Sequence, residues 1–232
     1  MKYLIPILCL FVFSCDDDDD DTFYEDTFYF EGCGELETDY ITYNDINYYC
    51  NDVQILQNII DVNSSLEGRS PLFIGQQEWN NSYRLRTLNL DSTNIDSIPS
   101  SIDSLEFLWK LQLTGNNLVH LPENITNLPL AYLYIDNNDI VSLPESIGNL
   151  GNTLYYLYAD YNNLTTIPIS ICNLASLSLT SFTNNNICNY YLPNNEGSSP
   201  YSACFEIDYY HSQNQSNCCD GPNGEPNWTT CP

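Results

Sequence analysis

Few side chains in this sequence have the types and spacing that catalysis requires. The chain has two histidines, His120 and His211, and His120 lies beside the apolar Leu121, where a solvated surface residue is expected. Nucleophilic catalysis needs a base held against a serine or a cysteine, and no recognisable pairing of this kind occurs. The sequence also has no glycine-rich phosphate loop. We therefore expect neither an enzyme nor a bound cofactor.

The ten cysteines are the other reactive side chains. Cys9 falls in the apolar N-terminal run and Cys15 directly follows it, which leaves an even number in the rest of the chain. In an exported protein such a number favours disulfides, and Cys33 is expected to pair with Cys50. The sequence does not choose among the pairings of the remaining six, which are Cys172, Cys188, Cys204, Cys218, Cys219 and Cys231. The alternative is a zinc site at Cys218, Cys219 and His211, which no C-x-x-C spacing supports.

The charge balance restricts the class of partner. The chain has 31 acidic residues against 5 basic ones and a formal net charge of −26. The basic residues are Lys2, Arg69, Arg84, Arg86 and Lys110. Nucleic-acid backbones and anionic membrane surfaces are bound by clustered lysine and arginine, which this chain lacks. Neutral or cationic partners are therefore expected, and nucleic acid is not.

The N-terminus joins an apolar run to a cysteine and six aspartates. Residues 1–14 have one cation and a stretch too short to span a bilayer comfortably, which is typical of a removable signal peptide. The letters VFSC, ending at Cys15, resemble the lipobox of bacterial lipoproteins, which implies a lipid anchor at Cys15. The alternative is an ordinary signal peptide cut near Ser14. Because adjacent like charges remain solvated, residues 15–32 are predicted to form a disordered acidic tether.

The acidic run carries a second resemblance. Six consecutive aspartates directly after the cysteine are similar to the export signal of surface lipoproteins in the Bacteroidetes group. This implies a location in the bacterial outer membrane, lipid-anchored and facing the cell surface. The sequence does not decide which side of that membrane the chain occupies.

The strongest signal is an internal repeat in the middle of the chain. Copies begin at Leu85, Leu108, Leu130, Leu154 and, in degraded form, Leu177, so they are spaced 22 to 24 residues apart. They match L-x-x-L-x-L-x-x-N-x-L followed by a half with proline and isoleucine, the pattern of leucine-rich repeat proteins. The resemblance implies an α/β fold: a right-handed β-α solenoid with short parallel strands on its concave face. One repeat cannot bury its leucines alone, so stacking of neighbours forms the core.

One polar position of the repeat is expected to be buried. Asn116, Asn138, Asn162 and Asn185 fall at the turn that ends each strand, where an amide can bond backbone groups of neighbouring turns as a ladder. The first repeat has Thr93 there instead, which is expected to weaken that end of the ladder.

Both ends of the solenoid require caps, which sets the domain boundaries. Residues 33–84 are assigned to an N-terminal cap, because Val53, Leu56, Ile59 and Ile60 lie on one stripe of a helix over residues 52–62. The repeats occupy 85–188. Residues 189–232, rich in cysteine, asparagine, glycine and proline, are expected to form a loop-rich, disulfide-bonded C-terminal cap.

The concave face is the candidate binding site. Side chains that alternate with the buried leucines point to this face, so Tyr132 should lie beside Tyr156 and Tyr134 beside Tyr158. The candidate contact residues are Trp109, Tyr132, Tyr134, Tyr155, Tyr156, Tyr158, Tyr161, Asp136 and Asp160. Tyrosine offers a large rigid surface with a polar tip, which is common in recognition surfaces.

The predicted function follows from these assignments. We expect a membrane-anchored, extracytoplasmic repeat protein that binds an extracellular or envelope protein through the aromatic face, in adhesion or recognition. The alternatives are a glycan-binding surface lipoprotein and a structural surface protein without a specific ligand. The sequence names no ligand and no oligomeric state.

Overall fold

The computed structural model describes residues 30–33 and 39–187. The predictions for the signal peptide, for Cys15, for residues 16–29 and for the C-terminal cap with Cys188, Cys204, Cys218, Cys219 and Cys231 lie outside these residues. Within the described ranges, no helix is both long enough and apolar enough to cross a membrane.

A six-stranded sheet runs through the described chain. Its first strand, β3 (Gln76–Trp79), is antiparallel to β4 (Leu85–Asn89). The next four strands extend the sheet in parallel: β5 (Lys110–Gln112), β6 (Tyr132–Tyr134), β7 (Tyr156–Tyr158) and β8 (Leu179–Ser181). Each parallel strand pairs with the equivalent residues of the next repeat, so the predicted repeat register is confirmed.

Short 3₁₀ turns form the outer side of the repeats. They span Ser100–Ser104, Glu123–Asn127, Ile147–Leu150 and Ile169–Asn173. Three of them start directly after a proline, at Pro99, Pro122 and Pro168, whose fixed φ suits the entry to a turn. The predicted β-α solenoid therefore returns through 3₁₀ turns of four or five residues and not through longer α-helices.

The core lies between the sheet and these turns. Leucine and isoleucine from successive repeats form one continuous cluster, with Leu111, Leu133 and Leu157 fully buried on adjacent strands. The strand side chains of this cluster alternate with side chains on the opposite face of the sheet, as the period of two requires. Burial of the cluster therefore fixes which side chains the sheet presents to solvent.

The predicted asparagine ladder is present. Asn138 Nδ2 donates to the carbonyls of Leu113 and Ile135 at 2.9 and 3.1 Å, and its Oδ1 accepts the N–H of Leu118 at 3.1 Å. Asn116, Asn162 and Asn185 repeat this arrangement one turn apart. Each buried amide thus joins two consecutive repeats.

The first repeat keeps part of the ladder despite its threonine. Thr93 Oγ1 donates to the carbonyl of Leu90 at 2.7 Å, which replaces one of the two bonds that an asparagine amide makes. The buried Asn63 of the N-terminal cap adds two hydrogen bonds to the first repeat, because its Oδ1 accepts the N–H groups of Asp96 and Ser97. The cap and the first repeat are therefore joined by an amide as well as by apolar packing.

The N-terminal cap contains the predicted helix and a hairpin that the sequence analysis missed. Helix α1 spans Cys50–Asp61 and buries the predicted stripe against the first repeats. It follows directly from a hairpin of β1 (Tyr40–Tyr43) and β2 (Ile46–Tyr49). The predicted disulfide between Cys33 and Cys50 is confirmed and ties the chain before the hairpin to the start of α1.

A buried ion pair fixes the helix to the first repeat strand. Asp52 in α1 is fully buried and accepts two bonds of 3.0 Å from the Arg84 guanidinium and one of 2.8 Å from the N–H of Leu85. The guanidinium also lies over the rings of Tyr49 and Phe107, at 4.1 and 4.6 Å. These contacts orient α1 against β4, and removal of either Asp52 or Arg84 would leave the other as a buried, unpaired charge.

Candidate binding surface

The solvent-facing side chains of the parallel strands form two columns. The third positions of the repeats pair across the sheet as Lys110, Tyr132, Tyr156 and Leu179. The fifth positions pair as Gln112, Tyr134, Tyr158 and Ser181. Both columns agree with the sequence prediction, because a regular parallel register places equivalent residues side by side on adjacent strands.

Four tyrosines at the centre of these columns stack face to face. The ring centroids of Tyr132 and Tyr156 are 5.0 Å apart with an interplanar angle of 10°, and those of Tyr134 and Tyr158 are 5.3 Å apart at 5°. We call these four rings the tyrosine stack. Within each pair, one face of each ring lies against the other ring. The stack therefore presents mainly ring edges and hydroxyl groups outward.

Two cations and a tryptophan close one end of the tyrosine stack. The Trp109 ring meets Tyr132 edge to face, with centroids 4.6 Å apart and an interplanar angle of 76°. The guanidinium of Arg86 lies 4.9 Å from the Trp109 ring centre, and Lys110 Nζ lies 5.6 Å from that of Tyr134. Both distances fall within the range of cation–π attraction. The sequence analysis did not include Arg86 or Lys110 among the contact residues.

Burial changes the ionisation of one ring in the stack. Tyr134 is half-buried, and this loss of solvent raises the pKa of its hydroxyl above the usual value of 10.0. The neighbouring Tyr158, Tyr132 and Tyr156 hydroxyls and the Asp136 carboxylate raise it further, since each would repel a phenolate. Tyr134 is therefore neutral at physiological pH and offers a hydroxyl donor.

Carboxylates line the edge where the strands end. Asp91 accepts the N–H of Thr114 at 2.7 Å, and Asp160 accepts the N–H of Thr183 at 2.6 Å, so each bridges its own repeat to the next. Asp136 accepts from the hydroxyl of Thr114 at 3.0 Å. The predicted contact residues Asp136 and Asp160 therefore lie on the expected edge, and Asp160 also holds two repeats together.

The remaining predicted contact residues are the most exposed ones. Trp109, Tyr155 and Tyr161 have 37, 46 and 57 % of their surface exposed. Tyr161 occupies a place at which every repeat adopts a positive φ; its equivalents are Ser92, Gly115, Asn137 and Asn184. This conformation favours glycine and asparagine, so a bulky tyrosine there is unusual.

The described residues hold no evident reactive centre. In ranges 30–33 and 39–187, no group of three or more histidine, cysteine, aspartate or glutamate side chains is placed to hold a metal ion. His120 is exposed, and His211 lies outside the described residues. Cys172 is disulfide-bonded, as the sequence analysis expected for a cysteine of this region.

Comparison with known proteins addresses the identity of the repeats. The family model described as Leucine Rich Repeat matches residues 84–105, 129–150 and 153–174. These segments coincide with the first, third and fourth predicted copies. No curated protein matches the chain significantly.

Several solved structures are similar to the described chain. The BIR2 ectodomain from Arabidopsis thaliana is 25 % identical, with a TM-score of 0.50, over 60 % of this chain and 82 % of that one. A chain of the BIR3–SERK2 complex, also from Arabidopsis thaliana, is 22 % identical, with a TM-score of 0.53, over 70 % of this chain and 98 % of that one.

A bacterial leucine-rich repeat protein is also similar. The protein from Leptospira interrogans is 36 % identical over 44 % of this chain, with a TM-score of 0.42, and the match spans 26 % of its own length. The family match, the parallel register and the asparagine ladder agree with one another. The repeats that begin at Leu85 match the leucine-rich repeat family model in three segments, and the described chain has the leucine-rich repeat fold.

Proposed function

We propose that this chain is a lipid-anchored, extracytoplasmic protein that binds a protein partner through its concave face, in adhesion or recognition. The contact surface consists of Trp109, Tyr132, Tyr134, Tyr155, Tyr156, Tyr158, Tyr161, Asp136 and Asp160. The observation that carries the proposal is the tyrosine stack with its exposed aromatic neighbours on one face of the sheet. Rigid aromatic rings with polar tips bind proteins at a low cost in side-chain entropy.

The orientation of the rings favours a protein over a glycan. A sugar that packs on an aromatic side chain needs a free ring face. Stacking at 5.0 and 5.3 Å covers one face of each ring in the tyrosine stack, and Arg86 lies over Trp109. Fewer ring faces than ring edges and hydroxyl groups therefore remain available, and edges and hydroxyl groups suit the backbone and side-chain groups of a protein.

The anchor and the location rest on the sequence. Cys15 follows a signal-like segment and precedes six aspartates, which supports a lipid anchor and display at the outer membrane surface. Stable anchoring needs more than one acyl chain, as a lipobox cysteine would receive. Growth of the producing cells with an alkyne-labelled fatty acid should label the natural chain and not the Cys15→Ser variant. Equal labelling of both would contradict the proposed anchor.

A binding screen tests the contact surface. The full chain, purified in detergent, is screened against immobilised extracellular proteins and against polysaccharides. The test variant replaces Tyr132, Tyr156 and Tyr158 by serine. The control variant replaces Val119, Val141 and Ile169 by serine, because these apolar side chains are also exposed but lie outside the strands.

The outcomes separate the three functions. Protein binding that the control keeps and the folded test variant loses would support the proposal. Loss of polysaccharide binding in the same pattern would instead show a glycan-binding protein. Absence of any binding that depends on the three tyrosines would contradict a recognition role for this face and favour a structural protein.

A further inference from the structure

The two ends of the tyrosine stack differ in charge. At one end the chain supplies its own cation, because Lys110 Nζ lies over the ring of Tyr134. At the other end Tyr158 has Tyr134 on one face, and its opposite face is directed along the sheet towards Ser181, its partner on β8. Serine is too small to cover a tyrosine ring. Among the described residues, the end at Tyr158 therefore lacks the cation that the end at Tyr134 has.

The surroundings of this end suit a positive charge. Asp160 lies at the end of the same strand, and its Oδ1 accepts bonds from Ser181 and Thr183. Its Oδ2 has no hydrogen-bond partner among the described residues. The equivalent of Lys110 on β8 is Leu179, whose side chain is 47 % exposed and could pack against an aliphatic stem.

The sequence offers no permanent cation for this end of the stack. No lysine or arginine occurs from residue 111 to residue 232, whereas acidic residues occur up to Glu225. The net charge of −26 also attracts basic partners over distances of about a Debye length. Charge complementarity therefore favours a basic group that a binding partner supplies.

We propose that the surface formed by Tyr158, Asp160, Leu179 and Ser181 receives a lysine or arginine side chain of the protein partner. The cationic group lies on the free face of Tyr158 and pairs with Asp160, and its stem packs on Leu179. This inference rests on the proposed function, because it names the chemistry of the partner at the same face. Lys110 on Tyr134 is the intramolecular counterpart of this contact.

A peptide selection tests the proposal without a known partner. Twelve-residue random peptides displayed on phage are selected on the full chain in detergent at physiological salt. Selected peptides are then measured against Ser181→Lys, which places a cation of the chain itself at Tyr158. One control accompanies it: Thr165→Lys adds the same charge at an exposed site outside the strands.

The expected result is an enrichment of lysine or arginine in peptides that depend on the concave face. Their affinity should fall about tenfold or more in Ser181→Lys, which corresponds to losing one cation–π and ion-pair contact. It should change less than about twofold in Thr165→Lys. Asp160→Asn provides a second variant, with an expected loss of about tenfold, should Ser181→Lys fail to fold as judged by circular dichroism.

Other results would overturn the inference in distinguishable ways. Face-dependent peptides without basic residues, or binding unaffected by both Ser181→Lys and Asp160→Asn, would refute the basic side chain but retain the proposed function. Peptides that bind the triple serine variant equally well would contradict both. Dimerisation of the chain that Ser181→Lys abolishes would place a second copy on this face and would also overturn the inference.

Discussion

Tyr161 has a backbone conformation that its side chain disfavours. Its φ is 52°, at a place where the other repeats have serine, glycine or asparagine. A left-handed conformation costs an ordinary residue about 1 kcal/mol or more relative to glycine or asparagine. Residues that keep such strain often have a functional reason. Exposure of more than half of the ring at the edge of the concave face is consistent with a contact role.

We predict that Tyr161→Asn raises the free energy of unfolding by about 0.5–1 kcal/mol and weakens partner binding. Urea unfolding and a binding assay measure the two effects on the same sample. Tyr155→Asn is the matched control, since Tyr155 is also exposed on this repeat but has no positive φ. If Tyr161→Asn proves less stable than the natural chain, the strain argument is wrong.

The buried amides should be the least replaceable polar side chains in the repeats. Asn162 donates to the carbonyls of Ile135 and Ala159 and accepts the N–H of Ile140 at 3.0 Å. Asn162→Ala leaves buried groups without partners and should lower the free energy of unfolding by roughly 1–3 kcal/mol. Asn163→Ala, next to it but exposed, should change it by less than about 0.5 kcal/mol. Equal effects of the two in urea unfolding would contradict a structural role for the ladder.

Neighbouring 3₁₀ turns are linked by a carboxylate with a pH-dependent contribution. Glu123 accepts bonds from the hydroxyl and N–H of Ser146 and from the N–H of Glu145. The bond from the Ser146 hydroxyl lowers the pKa of Glu123 below the usual value of 4.5, and the two backbone bonds add to this. These bonds tie Glu123 to the two residues directly before the next 3₁₀ turn, which begins at Ile147.

The sign of this shift sets a testable pH dependence. Because the folded-state pKa is lowered, the stabilisation by Glu123 is present above pH 4.5 and is lost as the pH falls through the lowered value. Glu123→Gln should therefore melt below the natural chain at neutral pH, with a difference that shrinks in acid. Glu145→Gln is the control, since only the Glu145 backbone takes part in these bonds. A difference that stays constant with pH would rule out this role for Glu123.

The elements that follow the repeat period could be predicted from the sequence, and others could not. Leucines at a fixed spacing determine both the strands and their register, so β4 to β8 and the two columns were expected. The hairpin β1–β2 was missed, although Asn44 and Asp45 between two alternating segments are a two-residue hairpin signal, and both adopt a positive φ. The pairing of β3 with β4 was missed too, because Gln76–Trp79 has no apolar alternation.

The positions of the concave-face residues could be predicted from the sequence, but the orientations of their side chains could not. The period placed Tyr132 beside Tyr156, whereas the face-to-face angle of 10° depends on rotamers that no sequence pattern encodes. The cations over Tyr134 and Trp109 likewise depend on how long side chains fold back over neighbouring strands. Long-range partners such as Asp52 and Arg84 leave no local signal, since 32 residues separate them.

At the scale of the whole molecule, one covalent link holds the N-terminal cap. Cys33 and Cys50 close a loop with a sequence separation of 17. In the chain-entropy account, such a loop contributes about 3 kcal/mol through its restriction of the unfolded chain. We predict that Cys33→Ala lowers the free energy of unfolding by about this amount and first frees the chain before the hairpin from α1. Hydrogen exchange resolved by segment measures both effects.

A second variant separates the stability contributed by the disulfide from the stability contributed by packing around Cys50. Cys50 is buried, so its replacement also removes core contacts, whereas Cys33→Ala leaves the Cys50 sulfur in place. Cys33→Ala and the double variant with Cys50→Ala should then differ only by the small cavity at Cys50. A loss below about 1 kcal/mol in Cys33→Ala would mean that packing alone holds the cap.

The antiparallel strand β3 closes one end of the parallel sheet to further repeats. Because β3 runs against β4, the sheet at that end cannot accept another parallel copy, and growth by gene duplication must occur between existing repeats or beyond β8. Each repeat contacts only its neighbours, so an inserted copy of residues 130–153 would need no new kind of contact. It would extend both tyrosine columns by about 4.8 Å, and variation in repeat number would be the simplest evolutionary route to a longer partner.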